Sequence, residues 1–284
     1  MVPVYGDNME NATDPLIDRV NNTFDGFGRL TKVERISAGV RSVSAYLYNG
    51  DNLRVSKTVQ KSSNGYKEEV TNYLYDRQNV ILETNANNKV KTRYVKGINY
   101  IASITAENKA SYFLFNGHGD VVQTVDKSGE IQNHYDYDIW GNPTLTMELV
   151  ECAIRYAGEF FDSETGLYYL RARYYDPYIG RFISEDSYWG EDNNPLSLNR
   201  YTYTHNDPIQ FLDPTGYAVL KKGSQGDGVV AIQEMLKDLG YNTGKVDGKY
   251  GSNTEAAIKK FQKDNGLKAD GIVGNQSLTA LVYI

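Results

Sequence analysis

Three aspartates near the end of an aromatic-rich stretch are the side chains that could do chemistry. Asp186 follows the residues GRFISE, and Asp207 and Asp213 each stand directly before a proline. Two carboxylates that share a site can cleave a peptide bond. Their proximity raises the pKa of one, which stays protonated and polarises the carbonyl, while the ionised one activates water. Asp186 and Asp213 are 27 residues apart and could meet only by strand pairing. The ordinary alternative for each aspartate is an Asx-turn or a cap.

The stretch that must position these acids covers residues 156–217. It combines tyrosine pairs, arginines that alternate with apolar neighbours and three Asp-Pro steps, and it reads GLYYLRARYYDPYIGRFISED and then NRYTYTHNDPIQFLDPTGY. These residues resemble the Rhs repeat-associated core, the closing segment of bacterial Rhs and YD-repeat proteins. The resemblance implies a spiral of β-strands that closes one end of a hollow shell.

In many members of that family the core cleaves itself just after the DPxG-type motif. Carried onto this sequence, the resemblance points to Asp186 and Asp213 as the catalytic acids, with Asp207 as a second acid beside Asp213, and to a cut after Tyr217. Here Asp186 precedes a serine where the family usually has proline, and Tyr217 stands where leucine is common. Arg181 is a candidate partner for the acids, although arginine among aromatic strands more often makes structural contacts.

Upstream of the core, residues 23–155 carry a loose repeat, after a polar lead-in over residues 1–22 that we expect to be poorly ordered. Each repeat unit has an aromatic step that ends in Asp or Asn. The steps, including the first of the core, are Phe24-Asp25, Tyr46-Leu47-Tyr48-Asn49, Tyr73-Leu74-Tyr75-Asp76, Phe113-Leu114-Phe115-Asn116, Tyr135-Asp136-Tyr137-Asp138 and Phe160-Phe161-Asp162. The wide gap in this series predicts one more unit between Tyr94 and Tyr100.

Alternating strands bounded by Gly, Asn and Asp turns are typical of β-hairpins. Single hairpins are unstable alone, so we expect successive ones to lie edge to edge and bury one aromatic face. Too few repeats are present for a closed cage, which favours an open, curved sheet over a complete shell. Its exposed amino-terminal edge predicts pairing with further Rhs repeats of a longer protein.

The composition changes sharply between Gly216 and Leu220, which predicts a separate domain over residues 218–284. Apolar residues at helical spacing predict a first helix that Asp227 caps and that stops at Gly240. Ser252 and Glu255 predict a capping box for a second helix, and a third is expected from about Asn275 to Leu281. The predicted fold is therefore multidomain, a β-rich sheet of YD-repeat hairpins followed by a small all-α three-helix domain.

The tail contains an internal echo, in which DGKYGSNT at 247–254 matches DGIVGNQS at 270–277. Together with the surrounding residues, this echo resembles the three-helix peptidoglycan-binding domain found on cell-wall hydrolases. The resemblance implies noncovalent attachment to the wall through a shallow groove, with Asp247, Tyr250, Thr254 and Asp270 as ligand contacts. The alternatives are structural, namely turns for the aspartates, a first helical turn for Thr254 and a core position for Tyr250.

Composition excludes several classes of function. The formal net charge of -6 and pI near 5.2 argue against a nucleic-acid binder, because neutralising phosphates needs a basic face. The single cysteine and the three scattered histidines do not have the spacing of metal ligands, and the sequence contains no cofactor-binding motif. We therefore predict neither a bound metal nor a cofactor. We find neither an apolar run of membrane-spanning length nor a signal peptide, which predicts a fragment of a longer protein or another export route.

Three functions follow from these patterns. The leading prediction is a non-catalytic bacterial surface protein, outside the cell or on its wall, whose tail attaches the core to peptidoglycan. The alternative is a self-cleaving core that releases the tail as an effector. A toxic tail, which many relatives carry at this place, is disfavoured because the tail has no histidine, no cysteine and no pairing of a nucleophile with a base.

Overall fold

The structure of the chain is a computed structural model. It describes residues 4–5, 19–97, 99–186, 198–209, 212–213, 216, 220–225, 227–274, 277–278 and 280–281. The β-rich hairpin sheet followed by a small helical domain is confirmed. The first long strand begins at Arg19, four residues before the predicted start of the repeats, and a short strand precedes it at Val4–Tyr5.

The larger sheet has its strands in the order of the sequence. Within the described residues these are β1 (Val4–Tyr5), β2 (Arg19–Phe24), β3 (Leu30–Ser37), β4 (Val40–Tyr48), β5 (Arg54–Lys61), β6 (Glu69–Asp76), β7 (Asn79–Thr84), β8 (Val90–Lys96), β9 (Tyr100–Thr105), β10 (Ala110–Phe115), β11 (Val121–Val125), β12 (Ile131–Tyr137) and β13 (Pro143–Glu148). β1 runs parallel to β2, and every later neighbour is antiparallel. The described sheet is open, since its order runs from β1 to β13 without joining them.

Period-two alternation sets the two faces of this sheet. Tyr46 is 2% exposed, whereas its neighbour Leu47 is 66% exposed. The further repeat unit predicted between Tyr94 and Tyr100 is present as the β8–β9 hairpin, and both tyrosine rings are buried. The buried face is therefore the aromatic one along the length of the sheet.

Six turns of this sheet share one hydrogen-bond pattern, which gives the repeat its physical basis. In each, a side-chain oxygen accepts hydrogen bonds from the backbone N–H groups two and four residues later, as expected for an Asx-turn. The residues that accept are Asp25, Asn49, Asn85, Asn116, Asp126 and Asp138. Four of these residues, Asp25, Asn49, Asn116 and Asp138, end aromatic steps of the repeat, so turn capping accounts for Asp or Asn at those steps.

A second, smaller antiparallel sheet packs on the aromatic face of the first. Its strands are β14 (Phe160–Asp162), β15 (Leu167–Leu170), β16 (Arg173–Asp176) and β17 (Arg181–Phe182). Ring contacts join the two sheets, with Tyr46 and Tyr174 centred 5.3 Å apart and Tyr94 and Phe160 5.5 Å apart. The smaller sheet thus supplies the other half of the core.

Buried charge also joins the two sheets. The guanidinium of Arg54, on β5, is 1% exposed and binds the carboxylate of Asp162, on β14. Lys57 Nζ lies 2.9 Å from the other carboxylate oxygen of Asp162 and 3.0 Å from Glu164. The ring centroid of Tyr169 lies 4.4 Å from the centre of the Arg54 guanidinium. Aromatic faces and carboxylates together compensate a cation that would otherwise be costly to bury.

The tail has a core of its own, built on helices α1 (Asp227–Asp238) and α2 (Ser252–Asp264). Of the predicted third helix, residues 277–278 and 280–281 are helical, and its remaining residues lie outside the described part of the chain. The predicted capping box is wrong. Gly251 is the N-cap of α2 without a side-chain cap bond, because Ser252 already lies in the helix, and Glu255 pairs instead with Lys259 and Lys222.

Candidate functional site

Arg173 brings together two of the three predicted acids. Its Nη2 lies 2.7 Å from Asp186 Oδ2 and 3.6 Å from Asp213 Oδ2. Both aspartates are buried, at 4% and 6% exposure, although 27 residues separate them in sequence. An arginine between two buried carboxylates offsets their mutual repulsion and fixes their orientation. The sequence had suggested Arg181 as the partner, and the structure places Arg173 there.

The small sheet and one returning loop hold this cluster in place. Arg173 is the first residue of β16, and its guanidinium centre lies 3.6 Å from the centroid of the Phe182 ring. Arg173 Nη1 donates to the Arg200 carbonyl at 3.1 Å, and the Asp186 N–H donates to the same carbonyl at 2.9 Å. Arg200 Nε in turn donates to the Asp186 carbonyl at 2.7 Å. The side chain of Arg173 is thus restrained along its length.

The DPTG motif ends against the same arginine. Gly216 accepts a hydrogen bond from Arg173 Nε through its carbonyl, and its N–H donates to Asp213 Oδ1 at 2.9 Å. Gly216 has φ +71°, and a Cβ built there would lie 2.5 Å from the Leu170 carbonyl oxygen and 3.0 Å from Arg173 N. This position therefore requires glycine both for its conformation and for the close approach. Tyr217, before the predicted cut, lies outside the described residues.

Asp207, the third predicted acid, follows a 3-10 turn at Thr204–Asn206. It is half-buried, and its N–H donates to the Thr204 carbonyl at 3.0 Å. The described contacts of Arg173 include Asp186 and Asp213, which makes these two the acids of the cluster. The cluster thus places two carboxylates and one guanidinium beside the Gly216 carbonyl, and a catalytic role for the acids remains a prediction.

In the tail, a buried glutamine holds the first Asp-Gly turn. Gln233, on α1, is 1% exposed, and its Oε1 accepts hydrogen bonds from the N–H groups of Asp247 and Gly248, both at 3.0 Å. Its Nε2 donates to Asp247 Oδ1, to the Lys249 carbonyl and to Thr254 Oγ1 at 3.1–3.2 Å. Hydrogen bonds from the Lys249 N–H and from Gln233 hold the pKa of Asp247 below its usual value.

The second Asp-Gly turn repeats this arrangement with residues from α2. Gln262 Oε1 accepts from the Gly271 N–H at 2.9 Å, while its Nε2 donates to Asp270 Oδ1 at 3.1 Å and to Ser277 Oγ at 2.9 Å. Hydrogen bonds from the Ile272 N–H and from Gln262 likewise lower the pKa of Asp270. The internal echo in sequence is thus one structural unit used twice. Neither glutamine stands inside the echo, so sequence analysis missed both.

The predicted ligand positions of the tail fall into two groups. Asp247 is exposed and Asp270 is partly exposed, and both keep a carboxylate at the surface of a turn. Thr254 and Tyr250 are buried at 1% and 2% exposure, and the Tyr250 hydroxyl donates to the Gly271 carbonyl at 3.1 Å. Burial raises the pKa of Tyr250. Their contact with a ligand remains a prediction.

Comparison with known proteins places these observations in families. The chain belongs to the teneurin YD-shell family, which it matches over residues 13–209. Residues 225–281 match a peptidoglycan binding domain. The resemblance seen in the sequence, to a YD-repeat shell joined to a peptidoglycan-binding domain, is therefore confirmed.

Curated relatives are much longer than this chain. It is 41% identical over 203 residues to the tRNA3(Ser)-specific nuclease WapA of Bacillus spizizenii, a match that covers 69% of this chain and 8% of that protein. It is 28% identical over 178 residues to the N-acetylmuramoyl-L-alanine amidase CwlM of Mycobacterium tuberculosis, covering 58% of this chain and 38% of that one. The chain therefore corresponds to a small part of the length of this nuclease.

Among solved structures, the TcdB2-TccC3 complex has a similar fold. Its match has a TM-score of 0.57 at 26% identity and covers 71% of this chain and 10% of that one. None of the helices in the described part of our chain has the length and apolar character needed to cross a lipid bilayer. The peptidoglycan-binding domain and the likeness to the amidase suggest association with the cell wall.

Proposed function

We propose that this chain attaches a YD-repeat scaffold to the bacterial cell wall, outside the cell, by binding peptidoglycan through its tail. The observation that carries the proposal is the tail itself. It matches a peptidoglycan binding domain and has its own hydrophobic core beside that of the scaffold. Further Rhs repeats of a longer protein are the partner that we propose for the amino-terminal edge of the sheet.

The two Asp-Gly turns are the proposed contact surface for the wall polymer. Asp247 and Asp270 present carboxylates at equivalent places, and each is oriented by a buried glutamine. In this proposal Tyr250 and Thr254 act by holding the turns in shape. Hydrogen bonding from exposed turn groups predicts weak binding at each site, which repetition along the polymer strengthens.

Retention of the full chain on purified sacculi tests this proposal. We expect wild-type protein to co-sediment, and the double variant Asp247→Asn, Asp270→Asn to be retained less. Asp264→Asn is the matched control, because Asp264 is an exposed acid of the same domain outside the two turns. Failure of the wild-type chain to co-sediment would remove the proposed function. Equal loss with the Asp264 variant would instead indicate a general effect of charge.

A second candidate function, self-processing of the core, is favoured by the cluster around Arg173. We propose that one ionised carboxylate of the pair Asp213 and Asp186 takes a proton from a water whose oxygen attacks the Tyr217 carbonyl carbon. The other acid, protonated, gives its proton to the Ala218 nitrogen as the C–N bond breaks. Arg173 would hold the carbonyl of Gly216, one residue before Tyr217, in place. The hydrogen bond from Arg173 Nε to that carbonyl supports this role. Asp207 is the alternative second acid. The released product would be the tail, freed as an effector.

The intact mass of purified protein separates the two candidates. Self-processing would yield a fragment of 67 residues that begins at Ala218. It should accumulate in wild-type protein during incubation and be absent from Asp213→Asn. Asp126→Asn is a suitable control, because that aspartate caps an exposed turn. If full-length chain is the sole species in wild-type protein after long incubation, self-processing is contradicted and attachment stands as the function.

A further inference from the structure

A cavity of about 700 Å³ lies between the hairpin turns of the scaffold and the tail. One wall consists of the β4–β5, β6–β7, β8–β9 and β15–β16 turns, and the other consists of α1 and Leu281. Ligand sites are typically clefts of roughly 300–1,000 Å³ and often form where domains meet. The size and place of this cavity are those of a site for a small molecule.

A short tether keeps the two walls together. Gly216 lies tightly against Leu170 and Arg173, while Leu220 belongs to the core of the tail, where its N–H donates to the Val273 carbonyl at 3.1 Å. Four residue steps separate Gly216 from Leu220, and an extended chain of that length spans roughly 14 Å. This length limits how far the tail can separate from the β15–β16 turn, so the two walls of the cavity stay close to each other.

The cations of the cavity lining all come from hairpins of the scaffold. Lys96 and Arg171 both line it, and Lys96 is half-buried. Burial and the nearby guanidinium of Arg171 lower the pKa of Lys96 to about 8. The carboxylate of Glu159, which pairs with Arg171, offsets this only in part. Arg77 adds a third cation to the lining, and the adjacent Asp76 adds a carboxylate.

Negative charge is concentrated on the tail side. Glu234 and Asp238 lie one helical turn apart on α1, and Asp51 faces them from the β4–β5 turn. Burial raises the pKa of Glu234, and the charges of Asp51 and Asp238 raise it further, while Lys237 opposes them. The negative charges on the tail side therefore repel one another, as the positive charges of Lys96 and Arg171 do on the scaffold side. A ligand with a complementary charge at each end would relieve both repulsions.

We propose that this cavity binds a zwitterionic short peptide, with its carboxylate at Lys96 and Arg171 and its ammonium group among Asp51, Glu234 and Asp238. This site shares no residue with the Asp-Gly turns of the tail, and its existence does not depend on sacculus binding by those turns.

Calorimetric titration of the full chain at pH 7 with the peptide acetyl-Lys-Ala-Ala tests the proposal. Its lysine ammonium and free carboxylate are the two charges required. We expect saturable binding that weakens at least roughly tenfold when either charge is blocked, by acetylating the lysine or amidating the carboxyl end. The isomer with two D-alanines tests a cell-wall source against an ordinary protein source. Absence of binding by both isomers would overturn the proposal.

Variants locate the binding within the chain. Lys96→Met and Glu234→Gln should each weaken binding roughly tenfold, whereas Lys109→Met, at an exposed lysine outside the cavity, should leave it unchanged. Glu234 is exposed on α1, so its variant tests the site without disturbing a core. Full affinity in both the Lys96 and Glu234 variants would refute the assignment.

The pH dependence of binding gives an independent readout. A ligand carboxylate prefers protonated Lys96, whose pKa is about 8. The peptide ammonium has a pKa near ~10.4 and stays charged in this range. We therefore expect affinity to fall as pH rises from 7 to 9, and this fall to disappear in Lys96→Met. Affinity independent of pH in wild-type protein would contradict the role of Lys96.

Discussion

Arg173 Nη2 lies 2.7 Å from Asp186 Oδ2, and this ion pair is almost fully buried. Asp213 approaches the same nitrogen from another part of the chain. One guanidinium therefore joins strand β16, the segment that follows β17, and the DPTG motif. Whatever chemistry the core performs, this contact fixes the position of the chain segment that leads into the tail.

Replacing Arg173 with methionine should strongly destabilise the core. Two buried carboxylates would lose their common cation, and breaking a buried ion pair by removing one partner typically costs about 3–5 kcal/mol. The free energy of unfolding in urea measures the effect. Arg181→Met, in the same small sheet, is the matched control and should cost clearly less. Equal destabilisation by the two variants would contradict the special place of Arg173.

The close approach of Gly216 to the β15–β16 turn makes a second prediction. Gly216→Ala should displace the DPTG segment, because the new Cβ would meet the Leu170 carbonyl oxygen at 2.5 Å. Limited proteolysis should then cut the junction with the tail faster. Gly223→Ala is the control, since Gly223 also has a positive φ, of +98°, but no atom lies within 4 Å of its built Cβ. Similar proteolysis of both variants would show that only backbone strain matters.

The buried carboxylate of Asp162 predicts how stability depends on pH. Burial alone would raise the pKa of Asp162, but Arg54 and Lys57 outweigh burial and hold it below the usual value. Its contribution to stability is therefore present above the unfolded pKa of ~3.9 and is lost as pH falls through the lower folded value. We expect Asp162→Asn to cost about 3–5 kcal/mol at pH 7 and to lose part of the acid sensitivity.

Urea unfolding at pH 7 and at lower pH measures both effects. Asp126→Asn is the control, because Asn49, Asn85 and Asn116 perform the same turn-capping role in other repeats. It should change stability little at pH 7. An Asp162→Asn protein with wild-type stability at pH 7 would mean that the buried cluster contributes no net stabilisation.

Local patterns account for the part of the fold that sequence could predict. Alternation in Tyr46-Leu47-Tyr48 fixes which face is buried, and an Asx-turn needs its Asp or Asn within four residues of its partners. In the sequence, Asp162 ends an aromatic step, Phe160-Phe161-Asp162, like the turn residues of the repeats. It is instead the buried partner of Arg54, 108 residues away, and no local pattern specifies a contact at that separation.

At the candidate sites, too, local sequence patterns did not specify contacts between residues that are distant in the chain. The resemblance selected Asp186 and Asp213 by motif, but the arginine that the sequence suggested beside them was Arg181, whereas the structure places Arg173 there. Strand register decided between them, since the first residue of β16 lies beside the DPTG segment. Gln233 was hidden for a related reason: an isolated glutamine on an amphipathic helix reads as a solvated side chain.

That glutamine gives the last prediction. Gln233→Ala should destabilise the tail by about 1–3 kcal/mol or more, because the N–H groups of Asp247 and Gly248 would lose their acceptor. Lys237→Ala, an exposed position on the same helix, should be nearly neutral. Hydrogen exchange at the Asp247 and Gly248 amides reports the turn directly and should accelerate only in the Gln233 variant. If those amides stay protected, water or a shifted side chain has replaced the glutamine, and the turn does not depend on it.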